Sequence, residues 1–169
     1  MEKSLGPIDN ESGKLYLYRK IKSNFQYEKY LNDIKKFKYR RAMTALRISA
    51  HRLEIETGRY TINGGNFVSR KDRLCKLCLQ DDIKVMGDEL HAIMICPSFN
   101  KGRGVMLNTI TNACPNFSKL SISDQLIFLL TAEDEYAINI SKFIHEVLSA
   151  PRQYGYKKVK KISTKNSKK

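Results

Sequence analysis

Long apolar runs are missing from this sequence. None approaches the roughly 18 residues that a membrane-spanning helix needs, so a helical membrane protein is excluded and a soluble chain is expected. A secretory leader is missing as well. Met1–Asn10 is polar, without the apolar stretch of a signal sequence, so the cysteines are expected to stay reduced and the protein to be nuclear or cytoplasmic, not secreted. Histidine is scarce, and His145-Glu146 runs on into Val147, Leu148 and Ser149 instead of completing H-E-x-x-H. That excludes the helical metalloprotease motif. Acidic side chains are absent altogether from Pro151–Lys169.

Positive charge is what the chain has in excess. With 31 Lys and Arg against 17 Asp and Glu, it carries +14 over 169 residues, unevenly placed. Met1–Gly13 stands at −2, Lys14–Arg73 at +11, Leu74–Ala150 at −3 and Pro151–Lys169 at +8. Charge spread for solubility would account for the total better than for two basic blocks on either side of an acidic middle. Such a field attracts polyanions, and the most abundant polyanion in a cell is nucleic acid.

Three of the four cysteines fall with a histidine into C-x2-C-x12-H-x4-C: Cys75, Cys78, His91 and Cys96. A C-x2-C turn lets two thiolates reach one ion from a single bend, and three thiolates with a neutral imidazole close a tetrahedral shell around one Zn2+ at a net charge of −1. Four protein ligands leave no position for a water, so the site reads as a fold holder, not a hydrolytic centre. Gly87-Asp88 has the form of a helix start with Asp88 as N-cap, which puts His91 in the first turn of a short helix through Ile95. Five helical residues turn the chain by about 500°, so Cys96 must lie beyond that helix to reach the same ion. Pro97 agrees, because it pushes the residue before it out of the helical region. Cys114, left over, reads as a small buried apolar residue.

Around this element the chain reads as helices. Gly6-Pro7, Asn10 and Gly13 punctuate a disordered lead-in. From Lys14 to Phe37, Tyr16, Tyr18, Phe25, Tyr27, Tyr30 and Phe37 alternate with Arg19, Lys20, Lys22, Lys29, Lys35 and Lys36, a mixture that suits stacking on unpaired bases as well as ordinary core packing. Lys36–Leu53 has the clearest helical period: Tyr39, Met43, Leu46, Ala50 and Leu53 form an apolar stripe, and Lys36, Arg40, Arg47 and His51 a basic row beside it. Gly58 is the expected C-cap, and Asn63-Gly64-Gly65-Asn66 a flexible loop that leads to Arg70, Lys71 and Arg73. Ser121-x-x-Asp124 and Thr131-x-x-Asp134 have the form of capping boxes that open Gln125–Leu130 and a longer helix to about Ser149. Tyr136, Ile140, Phe143, Ile144 and Val147 form the stripe of that last helix, expected to pack on the one from Lys36 to Leu53. Asp124, Glu133 and Asp134 sit beside helix starts and read as caps, not as a nuclease centre.

Leu46–Tyr60 (LRISAHRLEIETGRY), Arg70–Cys78 (RKDRLCKLC), Gly87–Pro97 (GDELHAIMICP), Arg103, Pro115–Leu130 (PNFSKLSISDQLIFLL) and Ser141–Ile144 (SKFI) together resemble the region after the polymerase in reverse-transcriptase-like proteins of non-LTR (LINE-like) retrotransposons. The likeness runs from about Tyr27 to Arg152. It implies a zinc-bearing C-terminal segment that helps hold RNA or target DNA, with Cys75, Cys78, His91 and Cys96 as ligands; Arg47, His51, Glu56, Gly58 and Arg59 match without an assigned role. The catalytic parts of such proteins are missing. The nearest text to the aromatic-x-Asp-Asp turn of the polymerase is Leu79-Gln80-Asp81-Asp82, without an aromatic, and none of Pro7, Pro97, Pro115 and Pro151 is followed by the Asp of the associated nuclease.

The expected protein is therefore mainly α, a small helical domain organised around a CCHC zinc element with disordered termini. Its parts are a lead-in over 1–13, a basic helical region over 14–73, the zinc element over 74–104, a helical region over 105–150 that packs on 36–53, and a basic tail over 151–169. The expected function is non-enzymatic: nucleic-acid binding, RNA or DNA, through Lys36, Arg40, Arg47, His51, Arg59, Arg70, Lys71 and Arg73, with Lys157, Lys158, Lys160 and Lys161 of the tail holding phosphates or serving as an import signal. The alternative is a protein-interaction or assembly module that zinc merely closes, with basic flanks for import and solubility.

Overall fold

The computed structural model describes residues 13–22, 24, 26–60 and 68–153. The lead-in up to Ser12, the Asn63–Asn66 loop and the tail lysines Lys157, Lys158, Lys160 and Lys161 lie outside the described residues, as do the expectations of disorder placed on the termini. Two short helices come first, α1 (Tyr16–Ile21) and α2 (Tyr30–Asp33). Helices of this length are not stable alone; burial of Leu17 and Tyr30 in the common core holds them.

The expected helix over Lys36–Leu53 is two helices. α3 (Phe37–Arg47) keeps the stripe of Tyr39, Met43 and Leu46, then stops. Ser49 takes a left-handed φ of 52° and is buried, and α4 (Glu54–Thr57) begins only after Leu53. The break has a polar cause. The Ser49 hydroxyl donates to Glu89 Oε1 at 3.3 Å and His51 Nε2 lies 3.0 Å from the same oxygen, contacts a continuous helix could not aim at one carboxylate. Ala50, expected on the buried stripe, is exposed. Gly58 follows α4 as expected but with φ −73°, so it is no left-handed cap. Its lack of a side chain serves packing: a Cβ there would stand 2.6 Å from Arg73 Cγ.

After the metal-ligand region come α5 (Asn100–Ala113), α6 (Ile122–Thr131) and α7 (Asp134–Gln153), which runs past the boundary expected at Ala150. The first capping box forms: Ser121 Oγ accepts from the Asp124 amide at 3.1 Å and donates to Asp124 Oδ2 at 2.6 Å. The second does not. Thr131 is the last residue of α6, where its hydroxyl donates back to the Ile127 and Phe128 carbonyls, and the Asp134 amide is satisfied from α2 by Asp33 Oδ2 at 3.0 Å.

α7 is the spine. Ala137, Ile140, Ile144 and Val147 are wholly buried along it, and α3 packs on it as expected, with Met43 and Leu46 wholly buried and Tyr39 against His145. α2 and α5 also pack on α7, and Ile93, Cys78 and Cys96 belong to the same continuous core. Among the described residues there is no strand, only an isolated antiparallel bridge between Leu74 and Met86. No helix among them is long and apolar enough to cross a membrane. The fold is a small, mainly helical domain built around its Cys3His group.

A candidate metal centre

The bridge between Leu74 and Met86 is the frame of the first two ligands. Cys75 N donates to the Val85 carbonyl at 2.8 Å and Gly87 N to the Arg73 carbonyl at 2.8 Å, so the chain doubles back on itself around Cys75–Cys78. Inside this loop Leu79 N returns to the Cys75 carbonyl at 3.0 Å and Ile83 N to that of Cys78 at 3.0 Å. The backbone amides of Leu77 and Cys78 point at the Cys75 sulfur, donors placed to hold a thiolate. Gly87 closes the frame: a Cβ would come 3.0 Å from the Cys75 Cα and 2.7 Å from Glu54 Oε2. Glutamate can swing aside; backbone cannot. Gly87→Ala is expected to cost about 1–3 kcal/mol of stability and to lower metal content, measured by thermal melting and elemental analysis.

The other two ligands share one turn. Asp88 Oδ1 accepts from the His91 amide at 2.8 Å, the N-cap read from the sequence. His91–Ile95 then winds as a π-turn, and Cys96 N donates to the His91 carbonyl at 2.7 Å, an i→i+5 bond that joins the two ligand residues directly. Cys96 itself lies beyond the turn, with ψ 122°, as its spacing from His91 required.

Cys75, Cys78, His91 and Cys96 are all buried, and their ligand atoms lie within 4.8 Å of one another. Cys78 Sγ is 3.7 Å from Cys96 Sγ and 3.3 Å from His91 Nε2. A tetrahedral shell with metal–sulfur bonds near 2.3 Å spaces its sulfurs by about 3.8 Å, so this group can hold one metal ion. Burial pushes the Cys78 thiol up to about 12 and raises Cys75, and it lowers His91. The thiols therefore need a cation beside them to ionise, which a divalent ion supplies.

A second observation fits the metal. Arg103 is buried on α5, with Nε donating to the Ile93 carbonyl at 2.8 Å, Nη2 to the Cys96 carbonyl at 2.5 Å and Nη1 to Asn100 Oδ1 at 2.6 Å. No carboxylate pairs with it among the described residues. A buried guanidinium needs an anion, and three thiolates around a divalent ion provide a net −1 beside Cys96. Arg103 had stood out in the sequence only as part of the family-like string; no spacing rule marks it as the arginine that holds the ligand turn.

The residues read as phosphate contacts divide. Lys36 and Lys71 are exposed and Arg70 is half-buried. Arg40 is half-buried, with Nη1 shared between the Leu31 and Ile34 carbonyls at 3.3 Å each, and Arg59 pairs with Glu56 at 2.8 Å. Three are taken into the fold, Arg47 and His51 from the expected basic row and Arg73 from before the first ligand. Arg47 is buried, donating to the Leu130 carbonyl and pairing with Glu28 at 2.6 Å, with its guanidinium 4.6 Å from the Tyr30 ring centre. The His51 side chain is fully covered against Glu89. Arg73 is buried, donating to Ile55 and Val68 carbonyls at 2.8 and 3.1 Å. Each has its polar atoms engaged within the fold. No family model, curated protein or solved structure matches this chain.

Proposed function

We propose that the chain is a zinc-stabilised nucleic-acid-binding module with no catalytic centre of its own, the counterpart of the post-polymerase segment it resembles in retrotransposon reverse transcriptases. The ion is zinc because three thiolates and an imidazole in a closed, buried shell suit a redox-inert ion with no preference against tetrahedral geometry. What supports nucleic acid is the set of cations left outside once Arg47, His51 and Arg73 are taken into the fold. Lys35, Lys36, Lys38, Arg41, Arg52 and Lys71 are exposed, and none of them forms an ion pair among the described residues. They belong to the segment that carries +11. Exposed cations without an acidic partner, carried on a zinc-closed body, are free to neutralise phosphates.

The test is a titration of zinc-loaded protein against labelled single strands and duplex at several salt concentrations. The logarithm of affinity should fall linearly with the logarithm of salt, by about 0.7–0.9 per phosphate contact, and Lys71→Ala should weaken binding to all sequences alike and reduce that slope by about 1. Binding that ignores salt, or no binding to any strand, would hand the basic surface to the protein-assembly reading.

A further inference from the structure

The start of α3 is built against its own stability. Lys36 stands at the N-cap without a side-chain acceptor for the free amides, and the first turn holds no acid. Lys35, Lys36, Lys38 and Arg41 crowd it instead, at the helix end where the dipole repels cations. Among them Phe37 leaves 67% of its surface in water. Tyr39 shows what an aromatic here can do when it packs: its ring meets His145 edge-on at 5.5 Å, with the Lys36 and Lys38 ammonium groups 5.9 and 5.0 Å from its centre. Phe37 makes no ring contact of this kind among the described residues. A protein interface would surround such a ring with further apolar side chains; its chain neighbours are lysines.

We propose that Phe37 is a stacking platform for an unpaired base of a single-stranded nucleic acid, with Lys35, Lys36, Lys38 and Arg41 neutralising the phosphates beside it. The inference rests on the nucleic-acid reading above and narrows its substrate class. A duplex covers both faces of each base with its neighbours and offers a protruding ring nothing to lie on, whereas a single strand can splay a base onto it. RNA and DNA single strands share this chemistry, since every base has a π-face.

The experiment uses the full zinc-loaded chain with labelled oligouridylate, labelled oligothymidylate and a duplex of matched length. Phe37→Ala should lower affinity for both single strands roughly 5- to 150-fold at fixed salt, the range measured for base stacking, while leaving duplex affinity and the salt slope unchanged because no charge is removed. Melting temperature should also stay put, the ring being exposed. The chain has no tryptophan, so Phe37→Trp gives an emission with no background, and binding of a single strand should quench it while retaining affinity. If Phe37→Ala binds single strands as the parent does, with the salt slope intact, the stacking inference fails and the nucleic-acid reading survives. An equal loss on duplex also overturns stacking. If the unsubstituted chain binds none of the three with a salt-dependent affinity, the nucleic-acid reading itself fails and this inference with it.

Discussion

Chelating the metal is expected to unfold the middle of the protein, because the ligands are the core there and not an ornament on it. Cys78 and Cys96 rank among the fully buried side chains with Ile93, Leu129 and Ile144. The π-turn that carries His91 and ends at Cys96 packs against α5, α6 and α7, so releasing it frees three helices from a common partner. Without the ion, three thiols and an imidazole would share one buried pocket, and the Arg103 guanidinium would face no anion. Zinc binding in modules of this kind supplies on the order of 10 kcal/mol of folding free energy, comparable with the whole stability of a small domain. Protein purified without chelator should therefore contain one zinc per chain, and chelation or Cys96→Ser should abolish the cooperative thermal transition. A melting curve unchanged by either, or a preparation free of zinc, would remove the metal from the fold.

What could be read in the sequence was local. The ligand set, the Asp88 cap, the position of Cys96 beyond its turn and the Ser121–Asp124 box depend on residues close together in the chain, whose chemistry permits few arrangements. The burial of Arg47 was not legible in the same way. On a helical wheel it lies beside Lys36 and Arg40; what takes it inside is Glu28 from before α2 and the Leu130 carbonyl from the end of α6, partners 19 and 83 residues away. The break after α3 depends likewise on Glu89, 40 residues beyond Ser49. Thr131 failed as a cap for the same reason: Asp33, more than a hundred residues earlier, reaches the amide first. The x4 spacing between two ligands did hold a usable signal, since an α-turn separates such residues and an i→i+5 turn joins them.

Arg47→Met should therefore cost stability and leave phosphate binding alone, the reverse of what a basic edge would show. The substitution removes both donors from the Leu130 carbonyl and from Glu28 Oε2, and it removes the cation that faces the Tyr30 ring. Glu28 keeps Lys22, 2.8 Å from its other oxygen, which softens the loss without repairing the carbonyl, since Leu130 is only 1% exposed. Breaking one side of a buried pair in this way costs on the order of 3 kcal/mol, or roughly 10 °C in melting temperature for a domain of this size. Replacing Glu28 by Met in the same chain should recover only part of that, because it removes the stranded carboxylate but leaves the largely buried Lys22 with the Gln26 carbonyl in place of an anion. The salt slope of nucleic-acid binding should match the parent in both variants, whereas Lys71→Ala should show the opposite pattern, an unchanged melt and a reduced slope. If Arg47→Met kept its melting temperature and lost slope instead, Arg47 would belong to the phosphate surface, and its pairing with Glu28 would have to open in the bound state.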